Sequence, residues 1–174
     1  MTRSLAPVLV ALALIGFAIA AYLTAYQLGI VASVWDPLFG RGSEEVLTSP
    51  IARLLPIPDA SLGAVVYAVD AVLAIAIGLR FGPRRGLRLA LAVLAIAGAL
   101  AGLGLVALQA LVVGAWCSLC LASAAISILL AAGAVAEARH AGEEARGTVA
   151  EAARAADARG SDHSPSNRYQ EAHR

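Results

Sequence analysis

Four long apolar stretches divide the chain: about Leu5 to Leu28, Leu62 to Leu79, Leu89 to Val113, and Leu119 to Val135. Each is roughly 17 to 25 residues, enough helix to cross about 30 Å of hydrocarbon. Apolar runs of that length, nearly free of charge, predict transmembrane helices. The expected fold is all-α: an integral membrane four-helix bundle over 1–136, with short interfacial helices in the first loop. Ala18-Ile19-Ala20 resembles a signal-peptide cleavage site. The apolar run continues beyond it and only Arg3 supplies a basic lead, so the stretch reads as a span. Span three carries Gly98-Ala99-Leu100-Ala101-Gly102, a small-xxx-small pattern that lets helix backbones approach closely in lipid.

The pattern changes at Glu137. From there to about Arg159 the chain is rich in Ala, Arg and Glu, which predicts a solvated charged helix. From Gly160 onward Ser, Asp, His, Pro and Asn predict disorder. The segment 137–174 is thus a charged cytoplasmic helix and tail, and no function is assigned to it.

Arginine placement sets the expected orientation. The link between spans two and three holds Arg80, Arg84, Arg85 and Arg88 and no acid. The link between spans one and two holds Arg41 and Arg53 against Asp36, Glu44, Glu45 and Asp59. Positive charge favours the cytoplasmic side. Both termini are then cytoplasmic, and the first loop and the start of span four face outside a cell membrane. The loop, 33–60, is long for an idle connector. Ser43 is placed to cap a helix whose first turn holds Glu44 and Glu45. Ser49-Pro50 is placed to start a second. Val46, Leu47, Ile51, Leu54 and Leu55 form an apolar stripe that would lie flat at the interface, with Trp35 as an anchor and Pro56 and Pro58 ending the helix. Such helices either cover a site at the bundle mouth or simply rest on the membrane.

Composition agrees with the pattern. The 174 residues are 60% hydrophobic and 14% charged, every basic side chain is arginine or histidine, and mean hydropathy is +0.78. A soluble domain of this size would have too little polar surface. No basic stripe with interleaved aromatics supports nucleic-acid binding. His140, His163 and His173 lie in the tail, so a metal site joining them to the cysteines would need ligands from both membrane faces. No metal is expected.

The chain has two cysteines, Cys117 and Cys120, three apart where span four begins. That spacing on a helical turn permits a reversible disulfide, and a helix N-terminus favours thiolate. Their expected side is also the one where disulfides persist. The alternative is a pair of inert buried thiols.

These residues together resemble the vitamin K epoxide reductase family. Gly42-Ser43-Glu44-Glu45-Val46-Leu47-Thr48-Ser49 is similar to that family's Gly-Cys-x-x-Val-Leu-x-Ser, and Ile57-Pro58 followed by Gly63 to its entry into span two. The resemblance covers about Leu5 to Val135. It implies a thiol–quinone oxidoreductase: Cys117 would exchange with an incoming thiol, and Cys120 would face a quinone of menaquinone or ubiquinone type. It departs at Ser43, where a loop cysteine is expected, and at Ala60, where the family places a serine, although Ser61 is adjacent. Without loop cysteines, the electrons would come from a small thiol or an extracytoplasmic thioredoxin-like protein.

Four further residues are weighed as quinone contacts. Asp70 sits inside span two, where acids face a cavity or partner. It would exchange protons with the quinone, or bond another helix. Tyr67, one turn away, would share its hydrogen bond. Gln109 would bond a quinone carbonyl or meet interfacial water, and Trp116 would wall the pocket or anchor the interface. The alternative to an enzyme is a quinone-binding or membrane-assembly protein that keeps the bundle without turnover. A transporter lacks support, since no broken midplane helices or inverted repeats are visible. A chain ending near Arg139 is expected to keep any thiol or quinone chemistry, which an activity assay of the truncated protein checks.

Overall fold

The computed structural model describes residues 5–50, 52, 57–79, 81 and 84–162. They form helices α1 (Ala6–Gln27), α2 (Gly42–Thr48), α3 (Asp59–Gly78), α4 (Arg84–Leu108) and α5 (Ser118–Asp162), with a π-helical turn, Gln109–Val113, closing α4. No strand occurs among the described residues. Four helical segments are long and apolar enough to cross a membrane: Ala6–Gln27, Asp59–Gly78, Arg85–Val113 and Ser118–His140, with mean hydropathy of 2.1 to 2.5. They coincide with the four apolar stretches.

Each helix follows from its local sequence. Pro7 stands in the first turn of α1, where a missing N–H forfeits no intrahelical bond. The buried positions of α1 are Ala6, Leu9, Ala13, Gly16, Ala20 and Leu23. They recur every three or four residues and make one stripe. That stripe packs against Tyr67, Ala71, Ala74 and Ile77 of α3, with Leu91, Ala92 and Ala95 of α4 and Leu130 and Ala134 of α5 completing the core. Most of these side chains are alanine, so the interior is thin. The large side chains point the other way, as at Ile15, Val65, Val72, Val93 and Leu100. Only 22–28% of each apolar window is buried inside the protein. The remaining surface suits acyl chains.

Lipid is as apolar as leucine, so close contact and polar ties must hold such helices together. Two ties are buried. The Tyr67 hydroxyl donates to the Ser123 carbonyl at 2.7 Å and lies 2.7 Å from Ser127 Oγ, joining α3 to α5. At the far end from α2, Glu137 of α5 accepts from the Leu5 backbone N–H and pairs with Arg88 of α4 at 3.4 Å. It thereby joins three helices.

Contacts divide the chain into two compact units, Met1–Ala138 and Arg139–Arg174. The first is the bundle. In the second, helix runs to Asp162, three residues into the stretch expected to be disordered from Gly160; His163, His173 and the rest of the tail lie outside the described residues. There His140 Nδ1 is 3.7 Å from Glu143. Ile51, Arg53, Leu54, Leu55, Pro56 and Arg80 also lie outside the described residues, as does the Arg84 side chain, so the second loop helix has no structural account.

A methyl group added at Gly16 would run into the Tyr67 ring, whereas at Gly104 it would meet nothing within 4 Å. Gly16→Ala is expected to destabilise the bundle by about 1–3 kcal/mol through overpacking. Gly104→Ala should not destabilise it. Thermal unfolding in detergent distinguishes them.

Candidate active site

Cys117 and Cys120 form a disulfide, with Cα atoms 5.2 Å apart. Three local features deliver the pair. The π-helical turn ends at Gly114, in the left-handed conformation at φ 70°, and turns the chain into the short stretch 114–117. Buried Gln109 then accepts the Cys117 backbone N–H at 3.1 Å. Finally, Cys117 stands just before α5, where its Sγ accepts the Cys120 N–H at 3.1 Å. This is an N-cap contact made by sulfur. Gln109 therefore props the backbone of the cysteine turn, and its side chain is buried away from interfacial water.

The loop closes over Cys117, which has no exposed surface. Gly42 lies so close to the Trp116 carbonyl that any Cβ there would collide with it. Ser43 Oγ is 3.1 Å from Cys117 Sγ and 2.6 Å from Asp36 Oδ2. The expectation that Ser43 caps α2 is corrected: the helix starts at Gly42, and Ser43 lies within it. The cap position is Arg41, and the first-turn N–H of Ser43 is accepted instead by Asp36 Oδ2 from the preceding loop, at 3.1 Å. The same carboxylate accepts from the Ser118 hydroxyl at 2.5 Å and the Ser118 N–H at 3.3 Å, and from the N–H groups of Leu38 and Phe39. It thus serves the N-termini of both α2 and α5. Burial pushes the Asp36 carboxyl up, but the donors from Ser118, Ser43, Phe39 and Leu38 outweigh it and hold it well below the usual carboxylate range.

Behind Cys120 lies a cavity of about 480 Å³. Its wall on α5 is a single stripe, Cys120, Ser123, Ala124, Ser127 and Leu130, at helical spacing. Gly98 and Gly102 of α4 also line it, and α3 contributes Ala60, Tyr67 and Asp70. Asp70 is 2% exposed, and its Oδ1 has no hydrogen-bond partner among the described residues. α3 runs from the loop end inward, so Cys120 borders the cavity near the loop and Asp70 lies deeper. Gln27 ties the mouth by donating to Asp59 and accepting the Ala60 N–H at 3.2 Å.

Of the residues singled out from sequence, Cys120, Tyr67 and Asp70 meet at this cavity. Gln109 borders a smaller space beside Cys120. Ser61 does not line the cavity; its hydroxyl donates to the Pro58 carbonyl at 2.6 Å. Trp116 also stays out of the lining and stacks on Phe39, with ring centroids 6.5 Å apart. Asp36, Ser118, Ser123 and Ser127 were not anticipated.

The sequence matches the vitamin K epoxide reductase family over residues 7–135. The chain belongs to that family. Comparison with curated proteins returns no match. Membership makes the protein a membrane oxidoreductase at family level, and the family's proteins use quinones. The matched region takes in spans two and three, all but the outermost residues of spans one and four, the loop and both cysteines.

Two outcomes follow from this geometry. Ser43→Cys should place a thiol against Cys117, so once the Cys117–Cys120 disulfide is reduced, mild reoxidation should join the introduced thiol to Cys117 and leave Cys120 as a free thiol, visible by mass spectrometry. Asp36 contributes stability above its unfolded value of about 3.9, and loses it as pH falls towards its much lower folded value. The loop should therefore loosen only below about pH 4, measured by protease sensitivity, and Asp36→Asn should remove that dependence.

Proposed function

We propose that the protein is a thiol–quinone oxidoreductase in which Cys117 and Cys120 are the redox pair and the cavity behind Cys120 takes the quinone head group. The single observation that carries this reading is the placement of Cys120 on the cavity wall, with its disulfide partner under the loop. The cavity suits such a group: its volume lies within the roughly 300–1,000 Å³ usual for ligand sites. The unpartnered Asp70 oxygen is a buried polar atom facing the space where an oxygen-bearing ligand would sit.

A quinone, when bound, accepts two electrons and two protons and leaves as the quinol. The residues do the rest. Two thiols give up their S–H protons and become the Cys117–Cys120 disulfide, and an incoming dithiol restores them and is itself oxidised. Asp70 holds a proton at its unpartnered oxygen. The Tyr67 hydroxyl, fixed by Ser123 and Ser127, orients the ring. Apolar walls from α1 and α4 exclude water. Arg85 and Arg88 support a cytoplasmic link between α3 and α4, which puts the loop and the cysteines outside, where a small thiol or a thioredoxin-like protein can supply electrons.

A second reading keeps quinone binding without turnover. Full burial of Cys117 and the presence of Ser43 rather than a thiol above it favour that reading.

Alkylation trapping in native membranes separates them. The reading predicts that the pair, once reduced by dithiothreitol, is reoxidised quickly only when quinone is added. A pair that stays reduced with quinone present would leave only the binding role. Replacing Cys117 or Cys120 by serine should abolish quinone-dependent thiol oxidation. Asp70→Asn should slow it by about 100-fold, the scale of a lost proton-transfer group, while leaving the disulfide able to form with a chemical oxidant.

A further inference from the structure

The buried cluster above Cys117 has chemistry of its own. Ser43 has one hydroxyl hydrogen and two acceptors, Asp36 Oδ2 at 2.6 Å and Cys117 Sγ at 3.1 Å. The carboxylate is nearer and charged, so it takes the hydrogen. What Ser43 then turns towards the sulfur is a lone pair. A thiol S–H suits that lone pair, and a thiolate does not.

The N-terminus of α5 would ordinarily favour a thiolate at Cys117. Here an anion already occupies that terminus. Asp36 collects the Ser118 N–H and the Ser118 hydroxyl, leaving the sulfur the Cys120 N–H. A thiolate at Cys117 would be a second anion at the same buried helix end, bridged to the first through one shared hydrogen. Like charges so placed disfavour ionisation.

Among the described residues, no other charged group offsets this. On α2, Glu44 accepts from the Val34 N–H and pairs with Arg41 at 3.3 Å, and Glu45 is exposed. The stretch 109–116 contains no ionisable side chain, and α5 carries only Cys120 before Glu137. At the start of α3, Asp59 is held by Gln27 and is itself an acid.

We propose that Asp36, acting through Ser43, is a positioning residue that keeps reduced Cys117 in its thiol form and leaves Cys120 as the sulfur that ionises. The consequence for direction rests on the proposed function. Cys117 is the sulfur under the loop, fully buried, while Cys120 borders the cavity. A reduced pair whose reactive sulfur is Cys120 delivers electrons to the cavity. It does not return them across the loop, because a thiol at Cys117 is a poor nucleophile towards an outside disulfide.

The test is the ionisation of Cys117 in the full chain carrying Cys120→Ser, followed by ultraviolet thiolate absorbance against pH in detergent. Half-ionisation is expected above the value of about 8.5 for a free cysteine. Adding Asp36→Asn should raise the thiol's ionisation constant at least about tenfold, one pH unit. A structural role alone would leave this midpoint in place. Half-ionisation at or below about 8.5 with Asp36 present would overturn the proposal, as would a folded Asp36→Asn variant with no shift. Should that variant not fold, the first titration decides alone. Neither titration needs quinone, so a raised midpoint in a protein that never oxidises thiols would sink the reaction and leave this inference standing.

Discussion

The mouth of the bundle depends on one buried carboxylate. Asp36 receives hydrogen bonds from its own loop at Leu38 and Phe39, from α2 at Ser43 and from α5 at Ser118. Two helix N-termini and a tight turn each need an acceptor, and one side chain supplies all three. Among the described residues its charge is compensated by donors, which makes the arrangement a network that stands or falls together. The loop can lie against the cysteine turn because this network draws it there. Gly42 then allows the backbones to touch.

Below the mouth the logic is that of a bundle in lipid. Alanine and glycine line the helix contacts, so axes come close where they meet and leave space where they diverge. The cavity lies among these contacts, lined by Gly98 and Gly102 of α4 and the serine stripe of α5. Tyr67 keeps it from collapsing: its ring fills the gap left by Gly16, and its hydroxyl is held by α5. One residue therefore serves both packing and the shape of the site.

The architecture was legible because twenty apolar residues in a row have few alternatives to a membrane helix, and four such runs are hard to misread. Cys120, Tyr67 and Asp70 were legible for a related reason: a thiol, a phenol and an acid are conspicuous in apolar surroundings. Ser123 and Ser127 carried the same signal, three and seven residues beyond Cys120 on one helical face, and a count along that face would have found them. Asp36 carried none. It reads as one more loop charge, since its partners at Ser43 and Ser118 lie 7 and 82 residues away. Gln109 is buried beside the cysteine turn and does not meet interfacial water, and no residue type announces the π-helical turn that it opens. Ser61 looked close to the site by number, but its hydroxyl satisfies the chain one turn back.

Glu137 has a consequence for the order in which the molecule is made. The amide it caps belongs to Leu5, 132 residues earlier. The first span is therefore synthesised long before the group that secures its beginning exists. Until the ribosome has produced the end of the fourth span, α1 can associate with its neighbours but cannot be latched to them. The clasp at Leu5, Arg88 and Glu137 cannot close before every span has been made.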